Sequence, residues 1–517
     1  MWKWRFWIVL FLGIGMGSLN VKAQESGPPV KGDPGLAAAN LFDGALSGLE
    51  KIGQLKAVPS GRIAKSNISI GFECLDRFMF DPAKCYDKLA ETGTKWARCQ
   101  TGWSRCETVK GTYDFKWLDD VVDNLRRRGV QPWFNVGFGN TLYMTNTFTA
   151  AAVGCVPFDY GDEARQAWQS YIRALSRHFK GRVTCWEIWN EPNIDAFWAP
   201  KKADPLAYLE LIRLTGGIIR EEIPDAKVGA CLSGVLNDYV KRLIKAGVGK
   251  EIDFFAVHAY SVQPEQGYLN EIATLRRLFD ENGGKEVRLW QGESGFASWF
   301  PPNHWLHPTV MESEANQAKW LLRRFITDAR AGMELSSFFQ MVDMTARPYS
   351  MAKTTQANPA RHGILHGNTY ERKLSFHALS HYNALFDGDT VPATNLSMTV
   401  DMGGAVAPTN CVSRLPVAAG FFRKGVPLYV YYLTVDVQTG YAGLSNVQAM
   451  VTGVRENGFR DPVLVDLLKG GVYAVKDAVR TDQGCVRFSG LPLTDYPLVI
   501  TDRAALAGRT EAFAARE

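Results

Sequence analysis

Val183-Thr184-Cys185-Trp186-Glu187-Ile188-Trp189 is a short apolar run that passes directly into Asn190-Glu191-Pro192-Asn193. The run reads as a strand, and the charged, amphipathic stretch Leu206–Glu222 downstream reads as a helix. The same alternation recurs on both sides. Strands are expected at Asn67–Phe72, Trp96–Gln100, Gln131–Val136, Val183–Trp189, Lys227–Leu232, Phe254–Val257, Val287–Gln291 and Ser336–Gln340. Helical stretches between them include Lys116–Arg128, Glu163–Phe179, Tyr268–Asn282 and Glu314–Ala331, and Ser375–Phe386 closes the series. Strands that alternate with helices argue for a parallel sheet, and eight such units closing on themselves give a (β/α)8 barrel over 67–388. Such a barrel carries its site at the C-terminal strand ends. Glu191 ends the fourth strand, and several other polar residues hold equivalent places: Glu73, Arg98, Asn135 with Asn140, His258 with Tyr260, and Gln340.

A second stretch, Leu289-Trp290-Gln291-Gly292-Glu293-Ser294-Gly295, places Glu293 at the end of the seventh strand. A lone glutamate is ordinarily a solvated surface charge. Here apolar strand residues run into both Glu191 and Glu293, and tryptophans sit beside both. Two carboxyl groups on separate strand ends are the minimum equipment for cleaving a glycosidic bond. One holds a proton for the leaving oxygen, and the other stays ionised to attack or stabilise the sugar carbon. An apolar setting raises the pKa of the first, while hydrogen bonds keep the second charged.

The chain of 517 residues is long enough for more than one domain, and its composition is that of an ordinary globular protein. A net charge of +5 without a basic run gives no case for nucleic acid. Residues 1–23 read as an export signal. Lys3 and Arg5 precede a mostly apolar core at Phe6–Met16, too short to span a bilayer, and Ala23 ends the segment. No other segment is apolar and long enough for a span, so a secreted or periplasmic protein with no membrane span after cleavage is expected. Residues 24–66 read as a linker and N-terminal extension. Export permits disulfides, and among the nine cysteines four, Cys74, Cys85, Cys99 and Cys106, crowd into one segment where one local bridge is expected. Cys185 and Cys231 lie in strand-like runs and read as small buried apolar groups.

Near Gly388 the pattern changes to short alternating strands with turn signals, such as Leu428–Leu433, Pro462–Leu467 and Pro497–Ile500. Residues 389–517 therefore read as a β-sandwich. None of the fifteen tryptophans lies beyond Trp320, which favours a structural accessory domain over a glycan-binding one. Tyr429, Tyr431, Tyr432 and Tyr473 keep the binding alternative open.

At Trp189-Asn190-Glu191-Pro192 the sequence resembles clan A of the glycoside hydrolases, and from about Ile68 to Phe386 it is most similar to the xylosidase-type family 39. Trp96-Ala97-Arg98, Gly102-Trp103, Glu107 and Gly111–Phe115 add to the likeness, as does the His-x-Tyr at 258–260. The resemblance implies a retaining enzyme with Glu191 as acid/base and Glu293 as nucleophile. It also implies that Asn190 bonds the sugar 2-hydroxyl, Tyr260 contacts the nucleophile, His258 lies beside the acid/base and Arg98 supports the nucleophile. Asn135, Trp299 and Gln340 are further candidates for substrate contact, with Trp103, Trp198 and Trp305 as possible sugar platforms. Glu187 shares a strand face with Glu191 and reads as a supporting or barrel-interior charge. Two departures stand out: no histidine follows the third strand, where Asn135–Asn140 stand, and no tryptophan ends the eighth, which reads Phe338-Phe339-Gln340. Both fall in the subsite of the cleaved sugar.

The sequence thus points to an exported retaining glycoside hydrolase acting on an oligo- or polysaccharide. No metal-ligand spacing or nucleotide loop is present, so no cofactor is expected. The alternatives are a barrel that binds carbohydrate without turnover, and a transglycosylase.

Overall fold

The computed structural model describes residues 44–145, 147, 149, 151–299, 313–344, 361–437, 441–453, 459–481 and 485–512. The export signal expected at 1–23, residues 24–43 of the linker and extension, and Trp305 lie outside the described residues. A first strand, β1 (Lys51–Leu55), stands apart from the next eight, which close into a parallel barrel. These are β2 (Ile68–Gly71), β3 (Trp96–Gln100), β4 (Gln131–Val136), β5 (Cys185–Ile188), β6 (Lys227–Ser233), β7 (Phe254–His258), β8 (Arg288–Ser294) and β9 (Leu335–Phe338). The helices are α1 (Tyr86–Glu91), α2 (Trp103–Cys106), α3 (Lys116–Arg127), α4 (Asp162–Phe179), α5 (Pro205–Glu222), α6 (Asp238–Lys245), α7 (Tyr268–Glu281), α8 (Glu314–Ala331) and α9 (Leu374–Leu385). At six and eight residues, α1 and α6 are too short to print a clear helical period in the sequence.

Aromatic side chains fill the barrel interior. Trp133, Phe254 and Trp290 are buried together, with the Phe254 and Trp290 rings stacked at 3.9 Å. Gly229 makes this layer possible, because a Cβ there would lie 2.1 Å from the Phe254 ring. The Arg98 guanidinium lies 5.5 Å from the centre of the Trp133 ring. Water is thereby excluded from one side of the charged groups at the strand ends.

The C-terminal strands are β10 (Thr390–Pro392), β11 (Ser397–Asp401), β12 (Val417–Arg423), β13 (Val426–Tyr432), β14 (Leu444–Thr452), β15 (Pro462–Asp466), β16 (Gly471–Ala474), β17 (Ala478–Arg480), β18 (Val486–Leu493), β19 (Leu498–Asp502) and β20 (Thr510–Ala512). They form a sandwich of two sheets, ordered β10-β12-β13-β19-β15-β16-β1-β20 and β11-β14-β18-β17. β1, in the segment expected to be linker, runs antiparallel between β16 and β20, so the N-terminal extension completes the C-terminal sheet. The rings of Tyr429, Tyr431, Tyr432 and Tyr473 are buried and present no face to a glycan.

No disulfide joins any of the nine cysteines, so the local bridge expected among Cys74, Cys85, Cys99 and Cys106 is absent. The Cys74 thiol accepts a hydrogen bond from Arg77, and burial pushes its pKa up to about 12.

Helix α8 joins the two domains. It is buried all round although it carries Lys319, Arg323, Arg324 and Asp328. Lys319 pairs with Asp495 of the sandwich at 2.7 Å, both fully buried, and Arg323 donates to the Val435 carbonyl at 2.6 Å. Removing one partner from a buried ion pair costs about 3–5 kcal/mol. Deleting 389–517 strips Lys319 of Asp495, leaves β1 unpaired and uncovers apolar barrel surface. The truncated protein is expected to be aggregated on size-exclusion chromatography. A soluble, active truncation that lost only polysaccharide affinity would instead make the sandwich a binding module.

Candidate active site

Strand register brings the charged residues together. Gly71 aligns with Arg98, Gln100 with Asn135, and Asn135 with Glu187. Arg98, fully buried, lies at the centre. Its Nη1 donates to Glu293 Oε2 at 2.6 Å and to Glu73 Oε2 at 3.0 Å. Nε donates to Glu187 Oε1 at 3.1 Å, and Nη2 donates to the same oxygen and to Asn190 Oδ1 at 2.8 Å. A planar, permanently charged donor with five N–H groups suits such a cluster in a way a lysine cannot.

Glu293 sits within β8, and the Tyr260 hydroxyl donates to its Oε1 at 2.8 Å. Both carboxylate oxygens therefore accept a hydrogen bond. Gly292 precedes it because a Cβ there would meet Ala256 Cβ at 2.8 Å.

Glu191 lies just past β5. Trp189 and Glu191 adopt left-handed backbone conformations, with φ of +67° and +45°. Strain of this kind persists where the surroundings over-determine it. Asn193 clamps the loop to β6 by accepting from Ser233 N and donating to Ser233 O, both at 2.9 Å. The Trp189 carbonyl accepts from Asn135 at 2.6 Å and from the Cys231 thiol at 3.1 Å. Glu191 Oε1 lies 3.0 Å from His258 Nδ1. Burial raises the Glu191 pKa to about 7, against the opposing pull of a Ser233 hydrogen bond and the Arg98 charge. Burial lowers that of His258 to about 4, with Arg98 pushing the same way, so the imidazole is neutral. A neutral imidazole can accept from a protonated Glu191 and donate to an ionised one.

Glu191, His258 and Glu293 each offer one donor atom within 4.8 Å of the others. Glu187, Cys231 and His258 form a second such triad. In both sets a carboxylate is already paired with Arg98, whose charge opposes a bound cation.

The other expected site residues fall in different places. Asn135 is fully buried, and its amide donates to Glu187 Oε1 at 2.7 Å, so it braces the cluster from below. Gln340 is buried behind Gly71. Trp299 is half-buried, with the Arg361 guanidinium 5.1 Å from its ring centre, and stands outside the Arg98 cluster. Trp103 and Trp198, offered as sugar platforms, are core side chains at 0% and 1% exposure. Ser233 and Asn193 escaped the sequence reading; polar residues this common carry no distinguishing pattern.

A closed parallel barrel with two facing glutamates past its fourth strand and on its seventh is the arrangement of clan A glycoside hydrolases. The model of the glycosyl hydrolases family 39 matches residues 94–390, and the chain belongs to that family. A β-xylosidase of Geobacillus stearothermophilus is 22% identical over 318 residues, covering 54% of this chain and 58% of that protein. A β-xylosidase of Caldicellulosiruptor saccharolyticus is 25% identical over 168 residues, covering 29% and 31%. The chain thus matches well under two thirds of either relative's length. Among solved structures, a family 30 endoxylanase from Clostridium papyrosolvens superposes with a TM-score of 0.52 at 13% identity, covering 88% of this chain and 97% of that one. At that identity the likeness concerns the fold. Among the described residues, no helix is long and apolar enough to cross a membrane.

Proposed function

We propose that this chain is an exported retaining glycoside hydrolase, with Glu293 as nucleophile and Glu191 as acid/base. One observation carries the reading: carboxylate oxygens of the two residues lie within 4.8 Å. Retaining enzymes hold their carboxyl groups roughly 5–5.5 Å apart, whereas inverting enzymes need about 6.5–9.5 Å to admit a water. In the first step Glu293 attacks the anomeric carbon and Glu191 gives its proton to the departing oxygen. In the second, Glu191 takes a proton from water, which attacks the same carbon and frees Glu293. The two steps ask Glu191 to be protonated and then ionised. Its raised pKa serves the first, and loss of the neighbouring negative charge once Glu293 is esterified favours the second. Asn190 Oδ1 accepts from Arg98 Nη2, which leaves its amide N–H groups to donate to a substrate hydroxyl.

Export rests on the N-terminal segment. The two relatives named above are both β-xylosidases, which supports β-linked, xylose-like glycans as the first substrates to assay. A 2-deoxy-2-fluoro glycoside of the matching sugar is expected to label Glu293, read by peptide mass spectrometry. Label on another residue, or inversion at the anomeric carbon followed by NMR, would overturn the mechanism.

A further inference from the structure

Three carboxyl groups converge on the Arg98 guanidinium: Glu73, Glu187 and Glu293. One positive charge cannot balance two fully buried carboxylates and a third, on Glu293, that is mostly covered, so a proton must reside on one of them. Glu187 accepts three bonds, all through Oε1, from Arg98 Nε and Nη2 and from Asn135, while its Oε2 is buried with no partner among the described residues. Glu293 accepts from Arg98 and from the Tyr260 hydroxyl. Glu73 accepts a single N–H through Oε2, and its Oε1 is buried with no hydrogen-bonding partner among the described residues. Its charged form has the least to replace water with. The fold keeps room for that oxygen, since a Cβ on Gly71 would lie 2.9 Å from it.

The groups facing Glu73 come from several elements. Arg98 and Cys99 project from β3, Glu187 from β5 and Glu293 from β8, while Tyr260 follows β7. Cys74 and Arg77 stand in its own loop. Of these, Arg98 and Arg77 favour its charge, but Arg77 is already paired with Asp76 at 3.3 Å.

We propose that Glu73 is a positioning residue that stays protonated at neutral pH, leaving the Arg98 charge to Glu187 and Glu293 and holding Glu293 ionised and in line. Burial raises the Glu73 pKa to about 8, with Arg98 pulling it down and Glu293 pushing it up. Were Glu73 to ionise, it would compete with Glu293 for the same Nη1. The inference rests on the glycosidase reading for its catalytic consequence and on the cluster alone for its protonation.

The test uses Glu73→Gln, which mimics the protonated acid, and Glu73→Ala, which drops the bond to Arg98. A raised folded-state pKa means the native protein holds a proton that the unfolded chain releases above its ordinary value of 4.5. The wild type therefore loses stability relative to Glu73→Gln as pH rises from about 4.5 to about 8, and the gap is constant above that. Thermal melts should show Glu73→Gln gaining on the wild type across this window. A Glu73→Gln protein that instead loses stability there would overturn the protonated state. In activity, Glu73→Ala should fall at least tenfold below Glu73→Gln in kcat with KM little moved, and equal loss in both would overturn the positioning role. The melts need no substrate. A protein that passes them yet hydrolyses no glycoside would count against the glycosidase reading and leave the protonated Glu73 standing.

Discussion

Glu293→Ala is expected to lose more than about 10⁴-fold in kcat on every substrate, while Glu191→Ala loses roughly 10²–10⁴-fold only where the leaving group needs a proton. The asymmetry follows from the two environments. Glu293 accepts from Arg98 and from Tyr260, and as the proposed nucleophile it cannot be replaced by a better leaving group. In the proposed mechanism Glu191 supplies a proton, and an activated aryl leaving group departs without one. Added azide should then rescue Glu191→Ala by entering the space of the missing carboxylate, giving a glycosyl azide of retained configuration. The pH profile separates the residues further. The acid must be protonated, so wild-type kcat should fall as pH rises through about 7, the value to which burial raises Glu191. On an activated substrate, Glu191→Ala should lose that alkaline limb. Equal losses in the two variants on good and poor leaving groups alike would show that the roles are wrongly assigned.

The barrel was legible because parallel strands buried on both faces read as unbroken apolar runs. β3 and β4 begin and end where the residues suggested. β7 and β8 run further, to His258 and Ser294, because ladder hydrogen bonds are made by the backbone and ignore the polar side chains that a reader takes as the end of a strand. β1 was hidden for another reason. Its partners β16 and β20 lie more than 400 residues away, and five residues carry no local sign of such pairing. In the site, the two glutamates announced themselves by apolar flanks. A strand-end position does not say which way a side chain turns, however. Asn135 turns down to brace Glu187, and Trp103 and Trp198 turn into the core from loops where a sugar might have met them. Glu73 was visible as a strand-end polar residue, but its role depends on a charge count around Arg98 that no linear pattern displays.

That charge count gives Arg98 the widest expected effect of any single residue. Arg98→Met keeps length and apolar volume and removes the charge, leaving Glu73, Glu187 and Glu293 without their common cation. Breaking a buried ion pair by removing one partner costs about 3–5 kcal/mol, and here three carboxyl groups are orphaned together. The carboxyls can respond by taking up protons, which raises their folded-state pKa values. The sign follows: protons bound in the native state and released on unfolding make stability fall as pH rises. Arg98→Met should therefore unfold at a modestly lower denaturant concentration near pH 5 and at a much lower one near pH 8. Its activity should vanish at both, because a protonated Glu293 cannot attack. Arg98→Lys restores the charge but not the fork that reaches Glu73, Glu187, Glu293 and Asn190 at once, so it should recover stability before it recovers kcat. Urea midpoints and kcat measured side by side at the two pH values decide the matter. An Arg98→Met protein as stable as the wild type at pH 8 would mean that the three carboxyls do not depend on this guanidinium, and the electrostatic account of the site would fall with it.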